Sequence, residues 1–146
     1  MDDRIEKTIE LAAPVSRVWR ALTDHEEFGR WFRVELDGPF EVGEVSRGRM
    51  TFPGYEGLPW EVLVRSLEPE RLFSFSWRDV DPKTGVSSEA MMLVEFRLEA
   101  IPTGTRLTIT ESGFSALPDP RRLEAFRENT EGWNIQAGNL AAHVGG

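Results

Sequence analysis

Residues 33–114 contain six segments of alternating apolar and polar residues, divided by turn residues, with no helical pattern between them. That run admits few folds. Parallel strands need crossovers of a dozen residues or more, usually helices, so consecutive strands here must turn back on one another as an antiparallel meander. The segments are RVELDG (33–38), EVSRGRMTF (44–52), WEVLVRSLE (60–68), RLFSFSWRDV (71–80), SSEAMMLVEFRLEAI (87–101) and TRLTITESGF (105–114). Gly38-Pro39, Gly43, Pro69, the DPKTG stretch at 81–85 and Pro102-Thr103-Gly104 divide them.

The flanks have different periods. Ile5, Ile9 and Leu11 alternate with Glu6, Thr8 and Glu10, a first strand over 5–11. Pro14 then suits the first turn of a helix, with Val15, Val18, Trp19 and Leu22 as its apolar stripe. Asp24 is placed to cap a second short helix carrying Phe28, Trp31 and Phe32. From Pro118 onward Leu123, Phe126, Thr130, Trp133, Ala137, Leu140 and Val144 recur at spacings of three and four, one long helix. Gly132 and Gly138 lie inside it, each costing roughly 1 kcal/mol against alanine, which predicts close packing on the sheet or a kink. The fold class is therefore α+β: a curved antiparallel sheet of six or seven strands gripping a C-terminal helix, as a single domain over residues 1–146. A chain of this length can bury roughly 70% of its unfolded surface.

Composition removes whole classes of function. The net charge of −8, with no basic block or stripe, repels phosphates and argues against nucleic acid as a partner. Without cysteine there is no disulfide or thiolate chemistry. The N-terminal MDDRIEKTIEL has no apolar signal region, and no run approaches the ~20 residues of a membrane span, so a cytoplasmic location is expected.

Strand alternation nominates the lining of a cavity between sheet and helix. Phe73, Phe75 and Trp77 share one face, as do Met92, Val94, Phe96 and Leu98, Met50 and Phe52, and Trp60, Val62 and Val64. The helix adds Phe126, Thr130 and Trp133. Met50, Phe52, Trp60, Phe73, Phe75, Trp77, Met92, Phe96, Phe126, Thr130 and Trp133 are thus the candidate ligand-binding residues; taken singly each reads first as plain core, and taken together they favour a pocket. Such pockets are mostly apolar with a few orienting polar groups, here the indole N–H groups and the Thr130 hydroxyl.

Catalytic and metal constellations are not found. His25 and His143 are expected to face solvent, without metal-ligand spacing, and two peripheral histidines build no Ser-His-Asp triad. Asp79-Val80-Asp81 with Gly85 has Lys83 where a calcium ligand should stand, so it reads as a hairpin turn. There is no Walker, Rossmann or Gly-x-Ser-x-Gly motif, and no cofactor or metal is expected. Glu61, Glu95 and Glu111 lie in strands among apolar neighbours. One turned inward would have a raised pKa and could act as a general acid or base. An outward cross-strand pair is the preferred reading, for Glu95 with an arginine on a neighbouring strand.

Three blocks carry a family resemblance: AAPVSRVWRALTDHEEFGRWF (12–32), LEPERLFSFSW (67–77) and the Glu131-Gly132-Trp133 step. Together they resemble the activator-of-Hsp90-ATPase-homologue family within the START/Bet v 1-like superfamily. The resemblance implies a helix-grip fold and, as the first expectation, binding of a hydrophobic or aromatic small molecule such as a lipid or polyketide. A polyketide cyclase/dehydratase-like enzyme using a cavity acid is the alternative. A chaperone-associated role ranks last, because the chain lacks the additional N-terminal domain of the eukaryotic co-chaperones. Paired edge strands would permit a homodimer, though nothing demands one.

Overall fold

The structure, a computed structural model, describes residues 3–80, 85 and 87–145. The hairpin turn expected at 81–85 lies outside the described residues except for Gly85. Strand β1 (Arg4–Leu11) leads to helices α1 (Val15–Thr23) and α2 (His25–Phe32). There follow β2 (Val34–Leu36), β3 (Val45–Met50), β4 (Pro59–Glu68), β5 (Leu72–Val80), β6 (Ser87–Ile101) and β7 (Gly104–Ser112). A 3-10 turn at Phe114–Ala116 precedes α3 (Arg121–Val144). All strands join one antiparallel sheet in the order β1-β7-β6-β5-β4-β3-β2. This is the expected α+β helix-grip arrangement.

Local chemistry sets the boundaries. The Asp24 carboxylate accepts from the Glu26 and Glu27 amides at 2.9 and 3.4 Å, satisfying two donors that the first turn of α2 leaves unpaired. Pro14 is extended and stands just outside α1, where its carbonyl accepts from Arg17 and Val18. The Trp31 indole donates to the Ala21 carbonyl at 2.8 Å, tying α2 to α1. Within β3, a Cβ on Gly48 would come 2.2 Å from the Glu35 carbonyl oxygen, so glycine is what lets β2 lie against it.

The two helices after β1 carry the chain from one edge of the sheet to the other, and α3 then covers the inward face. The core between them is aromatic. Phe28 touches Trp31, Phe32, Phe40 and Trp60 at centroid distances of 4.8–5.7 Å, and the chain of rings continues through Phe75, Phe73 and Phe96 to Trp133. Such contacts add to burial when edge-to-face or offset. A bulge between Val64 and Ser66 shifts the β4–β5 register, so that Leu67 pairs with Phe73.

Gly132 and Gly138 correct an expectation. An added Cβ at either would meet nothing within 4 Å, so neither is there for close packing on the sheet.

Candidate functional site

Asn129, Trp133 and Gln136 recur at one-turn spacings along α3 and share its inward side. Trp77 comes from the inward row of β5, Phe73-Phe75-Trp77-Asp79. The Trp77 and Trp133 rings stack at 5.9 Å and 14°. Beside them opens a cleft of about 410 Å³, lined by Phe32, Met50, Phe52, Tyr55, Trp77, Glu128, Asn129, Glu131, Gly132, Trp133, Ile135 and Gln136. Its floor is the stacked indole pair. Its far wall is the β3–β4 connection, where Phe52 and Tyr55 rings lie 5.9 Å apart. Gly132 adds no side chain here and keeps the helix side of the gap open.

The candidate lining divides into three groups. Met50, Phe52, Trp77 and Trp133 meet at the cleft. Trp60, Phe73, Phe75, Met92 and Phe96 are buried in the core, which the rings fill: Trp133 sits 5.8 Å from Phe96 and 6.3 Å from Phe32. The room expected beneath the helix is occupied there, and the open space lies at the edge of the sheet–helix interface. Phe126 and Thr130 border a different depression, with Asp3, Arg4, Ile5 and Glu6. Phe126 packs 5.4 Å from Phe114, and the Thr130 hydroxyl donates to the Phe126 carbonyl at 2.6 Å. That hydroxyl is spent inside its own helix and does not reach the cleft.

Behind the indole pair lies Glu111, with 0% of its surface exposed. Its Oε1 accepts from Trp133 Nε1 at 2.9 Å and from Asn129 Nδ2 at 3.1 Å. Its Oε2 accepts from Trp77 Nε1 at 2.9 Å and from Asn129 Nδ2 at 3.0 Å. A carboxylate has about four lone-pair sites, and these contacts use them. Burial pushes the Glu111 carboxyl above the usual carboxylate range; the hydrogen bonds from Trp133, Trp77 and Asn129 oppose the shift, and the charge of Asp79 adds to it. Asp79 is held by both arms of the Arg121 guanidinium, each at 2.8 Å, and Arg121 also reaches Glu128 at 3.1 Å.

The preferred outward reading fails at Glu111. The signal against it was available: Thr105, Leu107 and Ile109 occupy the inward row of β7, and Glu111 is the next residue of that row. Glu61 and Glu95 do face outward. Glu61 pairs with Arg47 on β3 at 3.0 Å. Glu95 pairs with Arg97 of its own strand at 2.9 Å, not with a neighbouring strand's arginine; across the ladder it meets Thr110. His143 is not solvent-facing: its Nε2 lies 2.9 Å from Glu27 Oε1, and Glu27 also binds Arg17 and Arg20. Asn129, Tyr55 and Gln136 carried no signal beyond helical spacing or a loop position. Among the described residues no group of three or more His, Cys, Asp or Glu side chains is arranged to hold a metal, and no helix is long and apolar enough to cross a membrane.

Residues 12–145 match the family described as activator of Hsp90 ATPase homolog 1-like protein. No curated protein matches the chain significantly in sequence. Among solved structures, a Mesorhizobium loti protein is 23% identical with a TM-score of 0.77, over 97% of this chain and 96% of that one. An Arthrobacter aurescens protein is 19% identical with a TM-score of 0.79, over 98% and 86%. DynU16, from the dynemicin biosynthetic locus, is 25% identical with a TM-score of 0.75, and this chain covers 48% of its length while 99% of this chain is matched.

Proposed function

The chain belongs to the activator-of-Hsp90-ATPase-homologue-1-like family, within the START/Bet v 1-like superfamily, and from that premise we propose that it is a single-domain cytoplasmic protein that binds a hydrophobic or aromatic small molecule in the cleft between α3 and the β3–β4 connection. One observation carries the reading. Apolar side chains that a folded chain would ordinarily cover stand together around a concave opening. Tyr55 is 52% and Ile135 45% exposed, at the mouth of a gap floored by two indoles. Clustered exposed apolar groups at a concavity are what ligand grooves present, and a volume near 410 Å³ falls within the roughly 300–1,000 Å³ of small-molecule sites.

The test uses the floor of the cleft as reporter. Titration with aromatic polyketides, flavonoids and lipids should quench or shift tryptophan emission, since the half-buried Trp77 would be covered. Gly132→Phe, which drives a ring into open space, should abolish the response while leaving the far-UV circular dichroism intact. No response to any of these compounds by fluorescence or native mass spectrometry would remove the proposal.

A second reading, a cyclase- or dehydratase-like enzyme, is favoured by one observation: a buried acid behind the cleft. The likeness to DynU16 of a biosynthetic locus is in keeping with it. Against it, Glu111 is screened from the cleft by Trp77, Trp133 and Asn129, and all its acceptor sites are occupied. We therefore rank binding first.

A further inference from the structure

We infer that the cleft selects cationic or hydrogen-bond-donating aromatic ligands and rejects carboxylates such as fatty acids, a proposal that rests on the binding reading above and narrows its ligand class. The first ground is where the donors point. The four lining side chains with N–H groups, Trp77, Trp133, Asn129 and Gln136, all direct them inward. The first three bind Glu111, and Gln136 Nε2 donates to the Phe32 carbonyl at 2.8 Å. Among the described residues the Tyr55 hydroxyl is the only side-chain donor of the lining with no partner. An anion entering here would leave water and find almost nothing to replace it, which is the costly case for a buried charge.

The second ground is charge. The lining contains two carboxylates, Glu128 and Glu131, and no lysine, arginine or histidine. Arg121, the cation that pairs with this lining among the described residues, is held bidentately by Asp79 and also binds Glu128, so its charge is already matched. Glu131 is exposed at the rim with no ion-pair partner among the described residues.

The third ground is the ring system. Indole faces attract cations through their quadrupole, and an indole whose N–H donates to a carboxylate gains electron density in the ring. Trp77 and Trp133 both donate to Glu111; Trp133 is 3% exposed and stacked against Trp77, so the half-buried Trp77 ring is the electron-rich face the floor offers, with its N–H edge turned away.

The experiment compares three ligands sharing one ring system: 1-naphthylmethylammonium, 1-naphthalenemethanol and 1-naphthoate, titrated calorimetrically into the whole protein at neutral pH. The ammonium compound should bind about tenfold tighter than the alcohol, and the naphthoate should bind weakest. Glu131→Gln, an exposed substitution that spares the fold, should shrink the ratio of ammonium to alcohol affinity, and an unchanged ratio would overturn the part given to the Glu131 charge. Equal affinities, or a tighter naphthoate, would overturn the charge selectivity and leave the binding reading standing. Absence of heat for all three at millimolar concentration, confirmed by unchanged amide spectra, would take down both.

Discussion

Glu111→Gln isolates the one buried carboxylate whose partners also form the floor of the cleft. The substitution keeps size and one carbonyl oxygen but turns an N–H₂ toward two of the four N–H contacts. Trp133 is 3% exposed and cannot turn to water, so the amide oxygen should stay with it and with one Asn129 contact. Trp77 and the second Asn129 contact then face a donor; both residues are half-buried and can be rehydrated from the cleft. Hydrogen bonds to a charged group contribute about 1.5–3 kcal/mol each. Removing the desolvation of a buried carboxylate offsets part of that loss. The net cost should be about 1–3 kcal/mol at neutral pH, near 3 °C per kcal/mol for a chain of this size.

The pH dependence carries the sharper test. A carboxyl whose pKa is raised by folding contributes most below the ordinary glutamate value, near pH 4.3, and loses that contribution as pH rises through the folded value. Glutamine does not titrate. The stability difference between wild type and Glu111→Gln should therefore be largest near about pH 4 and narrow as pH rises above it, read by calorimetric melts of the pair, in which the other ionisable groups cancel. A gap that instead widens with rising pH would refute the reasoning: it would mean that four N–H contacts outweigh burial and hold the carboxyl ionised.

Gly132→Ala should stabilise by about 1 kcal/mol, since its Cβ meets nothing and glycine is the poorer helix former; a lowered melting temperature would show a neighbour the geometry does not contain. Arg121→Met leaves Asp79 buried beside Glu111 without its bidentate partner, and should cost about 3–5 kcal/mol in urea unfolding, more than Asp79→Asn, which leaves Arg121 its contact with Glu128. Glu27 behaves oppositely to Glu111: burial opposes ionisation, but hydrogen bonds from His143, Arg17 and Arg20 outweigh it and hold the carboxyl below the usual range. Its contribution is present above the ordinary value and lost as pH falls, so the Glu27→Gln deficit should shrink on acidification, where that of Glu111→Gln grows.

The fold was legible because it rests on periods. Alternation through residues 33–114 can only be an antiparallel meander without helices between strands, and the register found places Phe73, Phe75, Met92, Val94 and Phe96 inward as that alternation requires. The site was legible only in part. Period two assigns a face, but not whether that face meets a gap or another ring. Trp60 and Phe75 share the inward face with Trp77, yet they lie 5.8 Å apart under the ring cluster while Trp77 reaches the opening. Thr130 and Trp133 are neighbours on a helical projection, but three residues turn the helix about 300°, which puts Thr130 on the flank facing Ile5. Of the three acids that could turn inward, Glu111 is the one that continues the inward row of Leu107 and Ile109, a position that decides its orientation where its charge does not.

That position accounts for where the cleft begins. The inward row of β5 runs Phe73, Phe75, Trp77 and ends in Asp79; the inward row of β7 runs Leu107, Ile109 and ends in Glu111. Each apolar row thus terminates in an acid, and the N-terminal half of α3 lays Arg121 against one and Asn129 against the other. Apolar side chains close over a gap because leaving water is favourable. Paired and hydrogen-bonded groups gain nothing by closing further, and fixed partners hold them in place. The aromatic core is solid up to this polar layer, and beside it, where Gly132 withholds a side chain, the interior stays open. Replacing Glu111 and Asn129 together by leucine should remove the layer: the indoles would be free to turn, and the cleft should shrink, seen as a blue shift of tryptophan emission with loss of ligand binding. Retention of full affinity in that double variant would show that the opening is set by the β3–β4 connection alone.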